Sequence, residues 1–164
     1  MPEVYNKNLS EISSNENTKI LDNIGNTYYF EKKFILNTEL EVIKSDRAKL
    51  IDKNNNHYLF ENLFINLKSN EIAGKDLKIN FEDDFFGNKE NDPILKGKST
   101  VIDENNTIIN KAVFSTCNID EKKCRGWELN SDVFNHNKKD KLFEYKNSWL
   151  KIFNKRIFYI PYFN

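Results

Sequence analysis

Apolar residues recur along this chain in short runs that alternate with polar ones, and no long segment repeats them at a helical spacing. Leu77, Ile79 and Phe81 alternate with Lys78, Asn80 and Glu82, the period-2 pattern of a strand with one buried face. Residues 28–30 and 34–36 are apolar and frame Glu31, Lys32 and Lys33, which predicts a strand with a short interruption. Residues 48–52 form a strand that ends at Lys53-Asn54-Asn55-Asn56, a turn signal. Next, Tyr58 and Phe60 share one face, the register shifts near Asn62, and Leu63, Ile65 and Leu67 then alternate. A parity change inside an apolar run predicts a bulge or a sheet corner. Val101-Ile102 and residues 108–114 flank a polar turn as a hairpin, and further strands are expected at 127–133, 142–145, 149–153 and 157–162. Strands at such spacing predict an all-β architecture. Residues 1–26 are expected to be a disordered or loosely held lead-in to a β-domain spanning 27–164.

An internal echo sharpens this picture. Ser45-Asp46, a polar turn and Asn62 between two apolar runs correspond to Ser131-Asp132, a Lys-rich turn and Asn147, with 109–114 as a weaker third copy. The repeat predicts strand, turn, strand and corner stacked several times, which makes a sheet that folds over on itself.

Composition then sets limits. The 164 residues suffice for one domain with a modest core. Lys plus Arg and Asp plus Glu each number 25, so the basic excess of a nucleic-acid binder is absent. Aromatic residues, mostly Phe, make up 13% and favour strands. No segment approaches the roughly 20 apolar residues of a spanning helix, and the first eight residues lack the apolar core of a secretory leader. The last eight, Ile157-Phe-Tyr-Ile-Pro-Tyr-Phe-Asn164, are apolar enough to need something to pack against. The chain reads as a piece of something longer.

Candidate chemistry is sparse. Glu82, Asp83, Asp84, Asn88, Asn91 and Asp92 offer oxygen ligands for calcium but lack the EF-hand spacing, and read as an acidic turn. His57 and His136 are isolated beside turns, with no Cys or Glu partner at metal-site spacing, and are expected to be solvated turn histidines. There is no Gly-rich phosphate loop and no Gly-x-Ser-x-Gly. No catalytic residue, metal or cofactor is therefore expected. Alternation alone nominates Phe60, Ile65, Leu67, Leu77, Ile79 and Phe81 as the lining of an apolar interior. That interior is either a self-packed sandwich or a lipid-holding groove. The remaining classes are an adaptor that binds through its sheet edges, and a carbohydrate-binding β-domain that stacks sugars on Trp127 and Trp149.

Several segments in order carry a resemblance. Phe85-Phe86-Gly87-Asn88 through Pro93-Ile94-Leu95-Lys96-Gly97, Val113-Phe114-Ser115-Thr116-Cys117 and Cys124-Arg125-Gly126-Trp127 come first. Ser131-Asp132-Val133-Phe134-Asn135-His136, Phe143 to Ile152 and Phe158-Tyr159-Ile160-Pro161-Tyr162-Phe163 follow. Together they resemble the periplasmic domain of the LptD family, the lipopolysaccharide-assembly or organic-solvent-tolerance proteins of Gram-negative bacteria. The resemblance covers roughly residues 44–164. It implies an open β-jelly-roll, V-shaped in section, at the periplasmic face of the outer membrane. Such a domain receives lipopolysaccharide acyl chains in its apolar groove and passes them to a membrane barrel that this sequence does not include. Implied partners are lipopolysaccharide, a periplasmic bridge protein joined by edge-strand pairing, and an outer-membrane lipoprotein plug held through the barrel. Nucleic acid is not among them.

An exported domain with two cysteines favours oxidation. The simplest pairing is Cys117 with Cys124 across a short polar loop, contributing ~2–3 kcal/mol in the chain-entropy model, with Trp127 covering the bridge. The resemblance implies a second option, a bridge from either cysteine to the barrel, which would leave free thiols here. Two unpaired thiols fit a cytoplasmic source. Non-reducing peptide mapping decides this: a linked Cys117–Cys124 peptide is expected, and full thiol labelling under oxidising conditions would exclude it.

Overall fold

Among the described residues, which are 10–81, 93–116, 126–140 and 142–164, the computed structural model contains no helix. Fourteen strands form one antiparallel, unclosed sheet. The short strands come first: β1 (Glu11–Ser14), β2 (Thr18–Leu21), β3 (Thr27–Phe30), β4 (Phe34–Asn37), β5 (Val42–Ser45), β6 (Ala48–Ile51), β7 (His57–Phe60) and β8 (Asn62–Asn66). The long ones follow: β9 (Glu71–Asn80), β10 (Ile94–Ile102), β11 (Asn106–Ser115), β12 (Trp127–Asn137), β13 (Leu142–Ile152) and β14 (Lys155–Phe163).

β9 is where the sheet divides. One edge pairs with β10 along its length, while the other is shared, with β8 on residues 71–75 and β7 on 78–80. From β8 one wing runs through β5 and β4 to β1, and from β7 a second wing runs through β6 and β3 to β2. The long strands β10–β14 belong to both wings. A crease must therefore cross every one of them at the same level.

The backbone marks that crease. The ladders skip Asp76 opposite Lys98, Lys111 opposite Asp132, and Asp132 opposite Asn147. Asp76, Lys111 and Asn147 have φ of 48°, 51° and 50°, the left-handed region that non-glycine residues seldom enter. In the short strands the same line passes through the connections at 31–33, 46–47 and 61, where Glu31 N–H donates to the Arg47 carbonyl and Glu61 N–H to that of Lys75. Arg47 also pairs with Glu61 at 2.7 Å on the solvent side. The parity change near Asn62 is thus a sheet corner, and the echo between 45–62 and 131–147 marks successive crossings of one fold line.

Folding along the crease lays the wings face to face. Phe30, Ala48, Leu50, Leu77, Ile79 and Leu95 from one wing form a single buried cluster with Phe34, Ile43, Leu63, Ile65, Ile72 and Ile109 from the other. Close approach at the crease requires missing side chains. A Cβ on Gly74 would lie 2.3 Å from Phe60 Cδ1, and one on Gly97 2.1 Å from Ile109 Cγ2. The architecture is an open β-jelly-roll, all-β as its alternation predicts.

Turn chemistry repeats with a period that the sequence reading missed. Asp22, Asn26, Tyr28, Phe30 and Glu31 recur thirty residues later as Asp52, Asn56, Tyr58, Phe60 and Glu61. In both copies one Asp oxygen accepts backbone N–H groups of the turn. The other Asp oxygen accepts the Asn amide and the Tyr hydroxyl. Each Asp closes a turn and anchors a tyrosine that faces inward.

Three expectations change. Residues 10–26 are not a loose lead-in: β1 pairs with β4 and β2 with β3. These strands are four residues long; β1 is mostly polar and exposed and is held chiefly by backbone pairing, whereas Ile20 of β2 also packs half-buried against the core. Residues 142–145 and 149–153 are parts of one strand, β13, which crosses the crease at Lys146-Asn147-Ser148. Leu67, expected inward with Leu63 and Ile65, lies beyond the end of β8 in a turn and is 43% exposed, its N–H bonded to the Glu41 carbonyl.

Gly97→Ala is expected to force Ile109 aside at a cost of ~1–3 kcal/mol. The denaturation midpoint should fall with unchanged denaturant sensitivity; an unshifted midpoint would mean that the wings do not touch there.

Candidate functional site

The inner face is built from rows fixed by strand register. In one wing Ile20, Tyr28, Leu50 and Tyr58 lead to Ile79 and Leu95. The row continues through Phe114, Leu129 and Leu150 to Phe158. In the facing wing Phe34, Ser45, Leu63, Gly74, Thr100 and Ile109 lead to Phe134, Tyr145 and Phe163. Because side chains in a strand alternate, one continuous inward row per wing is what a two-residue period produces across paired strands, apolar but for buried Ser45 and Thr100 and for Gly74 in the facing wing.

These rows are covered unevenly. Of the six nominated residues, Phe60, Ile65, Leu77 and Ile79 sit in the buried cluster, and Phe81 packs half-buried against it. The rings of Phe30 and Phe34 meet across the corner at 4.8 Å, so bulky side chains fill the fold on the β3–β9 side. Toward the C-terminus the cover thins. Phe114 and Leu150 are half-buried, Trp127 and Ile152 are exposed, and Phe158 on the last strand is 60% exposed. Near the crease this part carries small residues, Ala112, Ser131 and Ser148, and the two serine hydroxyls hydrogen-bond at 2.7 Å.

The facing wing is aromatic. Phe134 contacts Phe143 at 5.6 Å and Tyr145 at 5.1 Å, and Tyr145 stacks on Phe163 at 4.3 Å with the rings parallel. His136, expected as a solvated turn histidine, instead lies half-buried in β12 against Phe143 at 4.6 Å. Burial, reinforced by Lys138, lowers its pKa and favours the neutral ring. Lys138 is lowered too by burial, although Asp103 and Asp52 oppose the shift; its ammonium donates to the Asp103 carbonyl. The uncovered surface thus offers aromatic and aliphatic contact with few charges. It is suited to holding flexible apolar chains, and no described group of three His, Cys, Asp or Glu is placed to bind a metal.

No protein-family model matches the chain, and no curated protein matches it. Cys117 and Cys124 lie outside the described residues, as does the acidic run 82–92. Trp127 packs on Phe114 at 5.7 Å. Alternation identified which residues face inward but not which are covered, because both have the same period. The signal for the open end was β14, where Ile157, Phe158, Tyr159 and Tyr162 place large exposed side chains on both parities.

The inner tyrosines give a pH prediction. Burial, with Asp22 second, pushes Tyr28 up to about 12, burial alone pushes Tyr145 up to about 12, and burial followed by Asp52 raises Tyr58. Below the unfolded value of about 10 these phenols are neutral in both states and their contribution is fully present. As pH rises from there toward 12, the unfolded chain loses protons that the folded chain retains, so stability falls. Denaturation midpoints should be flat near neutrality and drop above pH ~10. The drop should be shallower in Tyr145→Phe; an equal slope in that variant would exclude the assignment.

Proposed function

We propose that this chain is a lipid-holding β-jelly-roll that acts in lipopolysaccharide transport, as its resemblance to the periplasmic domain of the LptD family implies. The observation that carries the proposal is the apolar row that leaves the sealed core at buried Leu129 and loses its cover through half-buried Leu150 to exposed Phe158, with exposed Trp127 and Ile152 beside it. A sheet that only had to fold would end such a row in polar residues, because uncovered apolar area forfeits roughly 25 cal/mol per Å². In this proposal acyl chains lie on Trp127, Leu150, Ile152 and Phe158 against the ring stack of Tyr145 and Phe163. The sealed part, Phe60, Ile65, Leu77 and Ile79, serves as the scaffold that keeps the wings apart at the open end.

The setting that goes with this is the periplasmic face of the outer membrane. A bridge protein would deliver lipid by pairing at a sheet edge, and a barrel with its lipoprotein plug would receive it. The proposed role is binding and transfer, not catalysis. The sealed core at β3–β9 favours one other reading, an adaptor that works only through its edges.

Site-specific photocrosslinking separates the two. A photoreactive residue at Leu150 or Phe158 should crosslink to lipopolysaccharide, whereas one at Phe64 or Ile108, exposed apolar positions on the outer face, should not. Absence of crosslinks from all four, or equal crosslinks from all four, would exclude the lipid reading. Ile79→Asp is expected to unfold the protein, since an unpaired buried charge costs several kcal/mol. A folded Ile79→Asp variant that loses crosslinking would instead extend the groove into β9.

A further inference from the structure

The outer face carries a second feature, opposite to the apolar rows. Along the outside of the crease lies a groove of about 660 Å³. Its floor is set by register: Lys78 stands opposite Lys96, Lys96 opposite Val113, Val113 opposite Asn130, and Asn130 opposite Trp149. Five strands at ~4.8 Å spacing make it roughly 19 Å long. That is an extended slot rather than a dimple.

Its charge is out of keeping with the chain. Lys78, Lys96, Lys98, Lys111 and Arg156 line it against only Asp76 and Asp132, while the whole sequence balances 25 cations with 25 anions. Like charges directly across a ladder, as at Lys78 and Lys96, repel. Both lysines also hold other contacts, and Lys111 is held by Asp132 at 2.6 Å. The distinctive arrangement is at the β13–β14 end. There the Arg156 guanidinium sits over the Trp149 ring at 5.2 Å, and Tyr159 flanks the same ring at 5.0 Å. An indole that fixes the guanidinium plane orients its N–H fork for a carboxylate or phosphate. The indole and phenol beside it offer apolar faces with a polar tip, the surface on which sugar rings pack.

The geometry points to an outer-face binding groove for an acidic saccharide, a carboxylated or phosphorylated sugar chain lying along the crease with one ring at Trp149 and its anion at Arg156. A neutral sugar would leave the Arg156 fork unused, and a bare anion would leave the rings of Trp149 and Tyr159 unused. The groove is on the opposite face from the lipid surface, so it stands or falls separately.

The test uses the full chain with Trp127→Phe, which leaves Trp149 as the single indole reporter. Titration with tetragalacturonate should give saturable change in its fluorescence. Arg156→Ser and Lys98→Glu, at exposed positions that leave the core intact, should each weaken binding about tenfold or more. Equal binding of maltotetraose would overturn the role of charge. Equal binding of inorganic phosphate or of oligothymidylate would overturn the saccharide assignment, and no saturable change with tetragalacturonate would overturn the site. Competition then identifies the source. Displacement by lipopolysaccharide supports a lipid-linked acidic sugar, and its failure to displace supports a free acidic polymer.

Discussion

The structure depends on one constraint: every long strand must turn a corner at the same level. A flat sheet of this width would expose its whole apolar face. Creasing it brings the two wings together so that each buries the other, at ~1.5–3 kcal/mol for each large side chain covered. The turn needs backbone that twists out of the extended region, supplied by Asp76, Lys111 and Asn147 at positive φ. It also needs room, supplied by Gly74 beneath Phe60 and Gly97 beneath Ile109. Strain at the crease and burial on either side of it are two sides of one arrangement, because left-handed non-glycine residues persist only where the surroundings hold them.

That arrangement is asymmetric along the sheet. On the N-terminal side the wings are separate short strands joined at 31–33, 46–47 and 61, and Phe30, Phe34 and Phe60 fill the fold. On the C-terminal side the strands are continuous, the crease is lined by Ala112, Ser131 and Ser148, and the row ends exposed at Phe158. The sheet edges follow the same division. β1 and β2 are only four residues long, which blunts an edge, whereas β14 is nine residues long and protected only by Lys155, Arg156 and Pro161. Function is proposed where cover is thinnest because that is where apolar surface remains to be used.

Much of this was legible from residue order. Alternation at 77–81 gave a buried strand, the parity change near Asn62 gave the corner, and the echo between Ser45-Asp46 and Ser131-Asp132 gave the fold-over. β1 and β2 were not legible, since four-residue strands with only one or two apolar residues each leave no periodic mark. β13 read as two strands because Lys146-Asn147-Ser148 interrupts its apolar pattern, although Ser148 is fully buried and bonded to Ser131. Leu67 kept the right parity but lay past the end of its strand. His136 looked solvated because its ring partner Phe143 is on the neighbouring strand. For the candidate site, alternation correctly found inward residues at Phe60, Ile65, Leu77 and Ile79, but cover is a property of the opposite wing. The thirty-residue spacing of Asp22 and Asp52 was visible in the sequence and was the missed clue to how the short strands stack.

The central claim is a sheet sealed over β3–β9 whose cover thins from β12 to an open β14, with apolar chains proposed to be taken up at the open end. Native-state hydrogen exchange, measured strand by strand with and without lipopolysaccharide, tests it most directly. The account predicts the slowest exchange in β9 and β10 without ligand and the fastest among the long strands in β14. On adding lipopolysaccharide, protection should rise in β12–β14 and stay unchanged in β3–β8. Protection of β14 equal to that of β10 without ligand, or a ligand effect absent or spread evenly over all strands, would contradict it.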